Sequence, residues 1–321
     1  MLVAAPSAMA AEVQADLHLD TPTHLYRRGV GFEDSALEAN LAKLRAGGTT
    51  LAVEVLWPNT ANEGPVTVAR LLDKIEAEDA RLESLQLVRT PTEARTAADS
   101  GKIGFVLALE GAHGLGGPIT LSGLHARGLA LLGLTWSFSN PYAGSSGDDG
   151  GGLTDAGRML VAEAQRLGVL VDVSHASTRT TLDVCAITRA PLVASHSDAA
   201  AVRPHARNLK DDEIACIAAS GGVIGVNLHR TFLGEPANAA RVADHLDHFR
   251  RVGGAGVVAL GSDYDGMIKT PDGLPDAASW GAIWLELRAR GWTDVEIKGL
   301  RGENFLRAWD GALGVAGTSL P

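Results

Sequence analysis

The sequence predicts a single (β/α)8 barrel of the TIM type, and three observations support this fold class. Short apolar runs alternate with longer amphipathic segments, which is typical of βα units around a parallel sheet. Eight such runs occur in 321 residues, a length that one barrel accommodates. No glycine-rich phosphate-binding turn follows the first run, which removes the usual reason to prefer the rival architecture, a doubly wound open sheet.

The individual elements follow from these runs and from capping residues. Two helix starts carry the capping-box pattern, Thr90 with Glu93 and Thr293 with Glu296, and Gly168 is placed to end a helix. The predicted helices include 66–85, 154–167, 241–252 and 293–309. The predicted strands are 13–20, 50–57, 103–110, 129–136, 169–174, 192–196, 223–228 and 257–263.

Composition excludes several classes of function. The chain has 38 acidic and 28 basic residues, a net charge of −10, which argues against a nucleic-acid or anionic-membrane surface. No run approaches the roughly 18 consecutive apolar residues that cross a bilayer. The two cysteines, Cys185 and Cys216, predict no disulfide framework.

The N-terminal segment decides the expected compartment. Residues 1–11 are small and apolar, and Ala8-Met9-Ala10 resembles a signal-peptidase site, but the segment lacks a basic region and a full apolar core. We expect residues 1–12 to be either a disordered start or a remnant leader of the single barrel domain, which is expected to span 1–321. A cytoplasmic location is expected, or export if the segment is a leader.

Ionisable side chains follow the apolar residues at the carboxyl ends of five predicted strands. In a barrel that end is where active sites are assembled. Charged groups at buried strand ends cost several kcal/mol unless something compensates them, and a divalent metal is the most economical compensation for a converging set. The residues are His18, Asp20, Glu110, His175, His196 and Asp263.

These residues combine imidazole and carboxylate with no thiolate, which favours a hydrolytic Zn, Mn or Co site over a structural zinc site. Five of these residues, all except Asp263, are candidate ligands. Five ligands are too many for one tetrahedral ion and suit two ions that share a bridging ligand. Glu110, with two oxygens, is the candidate bridge. Two ions roughly 3.5–4 Å apart would lower the pKa of a bridging water toward about 7. Asp263 is then left to move protons beside that water.

With these residues in these positions, the chain resembles the membrane dipeptidase (renal dipeptidase) family, a branch of the amidohydrolase-like, metal-dependent hydrolase barrels. The similarity covers roughly residues 15–307. The matching motifs are Asp16-Leu17-His18-Leu19-Asp20-Thr21-Pro22, Leu107-Ala108-Leu109-Glu110-Gly111, Asp172-Val173-Ser174-His175, Ser195-His196-Ser197, Arg207-Asn208-Leu209-Lys210-Asp211-Asp212, Ala243-Asp244-His245-Leu246-Asp247-His248, Gly261-Ser262-Asp263-Tyr264-Asp265-Gly266 and Gly302-Glu303-Asn304-Phe305-Leu306-Arg307.

The resemblance implies a zinc-dependent dipeptidase with two metal ions, in which a bridging metal-bound hydroxide attacks the peptide bond. The expected substrate is a small dipeptide, including L-Xaa-D-Xaa pairs, with no nucleic-acid or membrane partner; a homodimer is left open. Arg207 would bind the substrate carboxylate, and Asp263 would protonate the leaving amine. The implied ligands are His18 and Asp20 for one ion, His175 and His196 for the other, and Glu110 for both.

One position departs from the family pattern. Where family members carry a histidine that helps hold the substrate carbonyl oxygen, this chain has Trp136. An indole N–H donates a hydrogen bond but carries no positive charge. Loss of an oxyanion donor costs roughly 10²–10³ in rate, so either another group supplies the role or the substrate differs. Two alternatives stay open: another amidohydrolase-type hydrolase acting on a lactam, lactone or N-acyl amino acid, and a non-hydrolytic family member.

The remaining histidines are assigned to neither metal ion. His245 and His248 are spaced i, i+3 on a predicted helix and are expected to pack or to face solvent. His113 is expected near the site mouth, and His205 is a candidate to position Arg207. Asp172 is a candidate to orient a metal-bound histidine.

Overall fold

The computed structural model describes residues 12–58, 64–148 and 150–317. The predicted leader remnant, including Ala8-Met9-Ala10, lies outside the described residues. In the described part of the chain no helix is both long enough and apolar enough to span a bilayer.

Nine β-strands are present in the described ranges. They are β1 (Ala15–Leu19), β2 (Leu51–Leu56), β3 (Leu85–Leu87), β4 (Ile103–Glu110), β5 (Leu129–Gly133), β6 (Leu170–Asp172), β7 (Leu192–Ala194), β8 (Val223–Val226) and β9 (Val258–Leu260).

Helices separate most of these strands. They are α1 (Thr21–Arg28), α2 (Leu41–Gly47), α3 (Gly64–Arg81), α4 (Pro91–Asp99), α5 (Leu121–Ala126), α6 (Asp155–Leu167), α7 (Thr178–Ile187), α8 (Asp211–Ala219), α9 (Arg230–Leu233), α10 (Ala239–Gly253), α11 (Gly281–Ala289), α12 (Asp294–Lys298) and α13 (Asn304–Gly314). Short 3₁₀ turns occupy Ala112–Gly114 and Ala277–Ser279, and a π-helical turn occupies Gly299–Glu303.

The strands form one parallel sheet that closes on itself, which confirms the predicted barrel. Their order is β1-β2-β4-β5-β6-β7-β8-β9, with β3 added at the side of β4. The ring closes where the chain after β9 meets β1: Asp20 N donates to Tyr264 O at 3.0 Å, and Asp263 N donates to His18 O at 3.1 Å. The eight strands of the ring coincide with the eight predicted runs, and β3 is an addition that the sequence analysis missed.

Several predicted strands are too long at their carboxyl ends. The run 257–263 was expected to be extended, but β9 ends at Leu260 and Asp263 has φ +66°. Likewise β6 ends at Asp172, and His175 has φ +65°. Non-glycine residues rarely adopt this left-handed backbone, and it turns the chain out of the sheet. Site residues therefore lie in the turns just beyond the strands.

The alternation of side chains across β4 explains why one acid faces the site. Val106 and Ala108 belong to a cluster of buried apolar side chains shared with Phe305 and Trp309 of α13. The intervening residues of β4 pack instead with the surrounding helices. Because residues i and i+2 share a face of a strand, Glu110 lies on the same face as Val106 and Ala108. It therefore stands at the carboxyl end of the barrel interior.

Capping and helix boundaries agree with the sequence at most positions. Thr293 and Glu296 form the predicted capping box of α12, Thr90 caps α4, and Gly168 ends α6 with φ +77°. The predicted helix 293–309 is wrong as a single element, because the π-helical turn divides it into α12 and α13.

Cys185 and Cys216 are paired as one disulfide that joins α7 to α8, with Cα atoms 6.2 Å apart. The cysteine count had predicted no disulfide framework. The two residues are 31 positions apart, and only the packing of these neighbouring helices brings the thiols together.

Candidate metal centre

The five predicted ligands converge at the carboxyl end of the barrel. Their metal-binding atoms fall into two groups, each within 4.8 Å: His18, Asp20 and Glu110, and His175, His196 and Glu110. Glu110 Oε1 lies 3.7 Å from His18 Nε2, 3.0 Å from His175 Nε2 and 3.5 Å from His196 Nε2. The structure thus places Glu110 between the two pairs that the resemblance implied.

The first pair meets although β1 is irregular. His18 Nε2 lies 3.6 Å from Asp20 Oδ2. The pairing of β1 with β2 shifts between Asp16 and Leu19, and Asp20 lies just past the strand, before α1. The expected i, i+2 alignment on a strand is therefore wrong in detail, but the turn into α1 brings the two side chains together.

Asp16 and Asp172 hold the ends of the strands that carry ligands. Asp172 Oδ1 accepts hydrogen bonds from Ser174 N at 2.9 Å and from Ser195 N at 3.0 Å, which ties the chain after β6 to the chain after β7. Asp16 accepts from Ser262 N at 2.8 Å and from Ser262 Oγ at 2.6 Å. Asp172 was expected to orient a histidine ring; in the structure it acts on the backbone beside two ligands.

Ser195 is a functional residue to which the sequence analysis gave no role. Its hydroxyl lies 3.2 Å from His18 Nδ1 and 2.8 Å from His196 Nδ1. A hydroxyl oxygen accepts two hydrogen bonds, so one side chain can hold both rings with their Nε2 atoms turned toward Glu110. Its position directly before His196 was the only available signal.

The buried charges around His18 shift its protonation strongly. Burial by itself would lower the pKa of His18, but the carboxylates of Glu110, Asp20 and Asp263 outweigh it and raise this pKa to about 10. Burial raises the pKa of Glu110 to about 8. The positive charge of His18 acts against burial and favours the ionised forms of Glu110 and Asp263, and a bound divalent cation would act in the same direction.

The second pair of histidines is neutral at pH 7. Burial, together with the positive charges of Arg207 and His18, holds the pKa of His175 and of His196 well below the ordinary value. A neutral imidazole has a free lone pair, and that is the form that binds a metal ion.

Orphaned polar atoms show that the residues fit a divalent cation. His18 Nε2 and Asp20 Oδ1 are buried, and neither has a hydrogen-bond partner among the described residues. Buried polar atoms are almost always hydrogen-bonded, so these two require a ligand. Nitrogen and carboxylate donors without sulfur suit zinc, manganese or cobalt.

Arg207 lies on the β7 side of this cluster. Its side chain is buried. Nη2 lies 2.8 Å from His196 Nε2 and donates a hydrogen bond to His196 O at 2.9 Å. Nη1 donates to Ser197 Oγ at 3.0 Å. Its Nε is buried without a partner in the described ranges. His205, expected to position this residue, accepts a hydrogen bond from the backbone N of Arg207 at 3.1 Å.

Asp263 faces the same cluster. One of its carboxylate oxygens lies within 4.8 Å of ligand nitrogens of His18 and His196. Burial raises its pKa to about 7. Asn227 Nδ2 donates to Asp263 Oδ2 at 3.1 Å, a contact that the sequence analysis missed because Asn227 belongs to no motif of ionisable residues.

Trp136 borders the cluster, with its ring 6.4 Å from that of His175. Next to it are Trp57, at 5.2 Å between ring centroids, and Phe138, at 5.6 Å. The ring of His113 is tilted against that of Phe138, with centroids 4.8 Å apart, so His113 lies next to the rings that border the cluster.

His245 and His248 are confirmed as packing residues. His245 Nδ1 accepts from Ala199 N at 3.0 Å and Nε2 lies 3.0 Å from Leu233 O, while His248 Nε2 contacts Asp211 at 2.6 Å. Both rings are buried on α10.

Comparisons with known proteins agree with the fold and find dipeptidases among similar proteins. The chain is 37% identical to dipeptidase verJ of Clonostachys rogersoniana over 235 residues, 70% of this chain and 60% of that protein. The match thus spans less than two thirds of the relative's length.

Two solved structures are similar over nearly their whole length. A metallopeptidase called dipeptidase AC has 29% identity and a TM-score of 0.86, covering 95% of this chain and 99% of its own. A Rhodobacter sphaeroides metallopeptidase, bound to a phosphinate mimic of L-Ala-D-Ala, has 27% identity and a TM-score of 0.86, covering 94% and 99%.

The sequence profile described as "Membrane dipeptidase (Peptidase family M19)" matches residues 4–318. That range includes the residues that build the cluster around Glu110, and it confirms the family resemblance seen in the motifs. The chain belongs to the membrane dipeptidase family, peptidase family M19.

Proposed function

We propose that this protein hydrolyses the peptide bond of dipeptides and uses two divalent metal ions, and we propose zinc as the metal. The observation that carries the proposal is the position of Glu110 Oε1, 3.0–3.7 Å from three imidazole Nε2 atoms. One carboxylate placed among three neutral or cationic rings is suited to bridge two ions.

His18 and Asp20 would hold one ion, His175 and His196 the other, with Glu110 shared. When bound, the ions supply Lewis-acid chemistry: they polarise the substrate carbonyl and lower the pKa of water toward about 7. Other side chains of the protein hold these ligands in place. The Ser195 hydroxyl contacts the imidazole rings of His18 and His196, and Asp172 accepts hydrogen bonds from the backbone next to His175 and His196.

Arg207 is proposed to bind the carboxylate at the C-terminal end of the dipeptide. Its guanidinium is buried beside the cluster, and this burial lowers its pKa from the ordinary value. A planar guanidinium binds a carboxylate with two parallel hydrogen bonds. Coordination at His196 Nε2 would replace the 2.8 Å contact with Nη2 and leave that donor for the substrate.

Asp263 is proposed to move the proton. A pKa of about 7 lets its carboxylate both accept and donate a proton near neutral pH. It would accept the proton released as water attacks the carbonyl carbon, and then deliver it to the amine that leaves when the C–N bond breaks. Asn227 holds its Oδ2 in place.

L-Xaa-D-Xaa dipeptides are included in the proposed substrates. The similar Rhodobacter sphaeroides protein binds a mimic of L-Ala-D-Ala, and its fold covers this chain almost completely.

The proposal is tested by metal analysis and by a library of L,L and L,D dipeptides. We expect about two transition-metal ions per chain, turnover of several dipeptides, and loss of turnover in Glu110→Gln and Asp263→Asn. Glu110→Gln should also lose metal, whereas Asp263→Asn should keep it. Absence of hydrolysis of every dipeptide by metal-loaded protein would overturn the peptidase assignment, and one ion or none would overturn the two-metal site.

A further inference from the structure

We propose that Trp57, Trp136 and Phe138 form an aromatic surface that binds the side chain of the dipeptide's N-terminal residue, so that the protein prefers large apolar or aromatic residues there. This inference rests on the proposed dipeptidase function and names the substrate class within it. The three rings are called the aromatic surface below.

The rings support one another in fixed positions. Trp57 and Trp136 meet edge to face, with centroids 5.2 Å apart and planes at 61°. Trp136 and Phe138 meet at 5.6 Å and 84°. Trp57 is 7% exposed and belongs to the cluster that fills the barrel, against which Trp136 also packs. A preorganised aromatic surface loses little conformational entropy when a ligand binds to it.

The strand order places Trp57 opposite Arg207, with Trp136 halfway between them around the ring. Trp57 follows β2 and Trp136 follows β5, on either side of the strand that carries Glu110. Arg207 reaches the cluster beside His196, which follows β7. Around the ring β1-β2-β4-β5-β6-β7-β8-β9, β7 is four positions from β2, which is directly across a ring of eight strands.

In the proposed arrangement a dipeptide lies across the ligand cluster, between Arg207 and the aromatic surface. With its carboxylate on Arg207, its peptide carbonyl comes to the ligand cluster around Glu110. The N-terminal Cα is bonded to that carbonyl carbon, about 1.5 Å further on, on the side where Trp136 lies 6.4 Å from His175. The N-terminal side chain therefore meets the aromatic surface, while the C-terminal side chain stays near Arg207.

The area buried against the aromatic surface determines the expected preference. A phenylalanine side chain buries more apolar surface against the three rings than an alanine methyl group does, and aromatic pairs gain further from edge-to-face contact. The aromatic surface therefore favours phenylalanine over alanine.

The test compares kcat/KM for L-Phe-D-Ala and L-Ala-D-Ala with metal-loaded protein. Burial of an aromatic side chain predicts a Phe/Ala ratio of about 10–100. In Trp136→Ala we expect this ratio to fall to roughly 1–3. Because Trp57 packs into the barrel interior, Phe138→Ala, at a half-buried position, is the second variant. Trp284→Ala, a half-buried tryptophan on α11, is the matched control and should keep the ratio.

The outcomes separate the two proposals. Hydrolysis of dipeptides with a Phe/Ala ratio near 1, or with a ratio unchanged in both Trp136→Ala and Phe138→Ala, would overturn the aromatic surface and leave the dipeptidase proposal intact. Hydrolysis of no dipeptide would overturn the dipeptidase proposal, and the inference with it. A fall of the Phe/Ala ratio in Trp284→Ala as well would also count against a local subsite.

Discussion

A β-carbon on Gly266 would lie 2.5 Å from Oδ1 of Asp263. It would also lie 2.8 Å from Asp20 Oδ2. Real Cβ atoms do not approach other atoms this closely, so the hydrogen at this position is what allows a proposed metal ligand and a proposed proton carrier to occupy the same corner of the site.

Gly266→Ala should therefore displace one or both carboxylates. A misplacement of about 1 Å in a catalytic group costs up to about 100-fold in rate, so we expect kcat/KM to fall by 10- to 100-fold and metal content to drop. Dipeptide kinetics and metal analysis measure this. Gly281→Ala is the control, because a Cβ there meets nothing within 4 Å. Equal activity of the Gly266→Ala variant and the wild type would show that the close approach has no functional role.

Ser195→Ala should weaken metal binding. The variant removes the hydroxyl that lies 3.2 Å from His18 Nδ1 and 2.8 Å from His196 Nδ1, so each ring loses the partner that fixes its orientation. Loss of such a partner typically lowers metal affinity about 10- to 100-fold. Competition with a chelator measures the affinity. Ser174→Ala is the buried control, since that hydroxyl contacts His196 N and Ser197 Oγ but no ring nitrogen; equal losses in both variants would contradict the specific role.

Asn227→Leu should shift the pH dependence of turnover upward. The hydrogen bond from Asn227 stabilises the ionised carboxylate of Asp263 and so lowers its pKa. Without it the pKa rises above about 7, and the acidic limb of the kcat/KM profile moves to higher pH. We also expect a loss of roughly tenfold in kcat/KM. Asn304→Leu, whose amide bonds only to the backbone of residues 255 and 258, should leave the profile in place. An unmoved limb in Asn227→Leu would exclude this coupling.

His245 should make the protein less stable in mild acid. Burial lowers the pKa of His245 from 6.5 to about 4. As the pH falls below 6.5, the unfolded chain binds a proton at this site first, so the free energy of unfolding decreases until the folded state is also protonated near pH 4. The loss over that window is about 3 kcal/mol.

Urea unfolding of wild type and His245→Gln at pH 7 and pH 4.5 checks this. The variant is expected to be less stable at pH 7, because it loses hydrogen bonds to Ala199 and Leu233. It should lose less stability than the wild type between the two pH values. Parallel losses in the two proteins would mean that other groups determine the acid dependence.

The sequence by itself determined the barrel and singled out the residues that are proposed as metal ligands. The period of the apolar runs reflects strands and helices directly, and polar residues at buried strand ends stand out because burial without compensation is costly. His18, Glu110 and His196 are all identifiable in this way. Arg207 and Trp136 carried no such physical signal and were singled out only by the family resemblance.

Only the tertiary structure decided where the chain leaves the sheet and which neutral groups support the site. The left-handed turns at His175 and Asp263 depend on hydrogen bonds to distant segments. Ser195, Asn227 and Gly266 are uncharged and common residue types, so their chemistry does not distinguish them from structural residues; Ser195 and Gly266 appear in the sequence analysis only as members of motifs. The opposition of Trp57 and Arg207 depends on strand order around a closed ring, because residues from β2 and from the chain after β7 face each other only when the sheet closes.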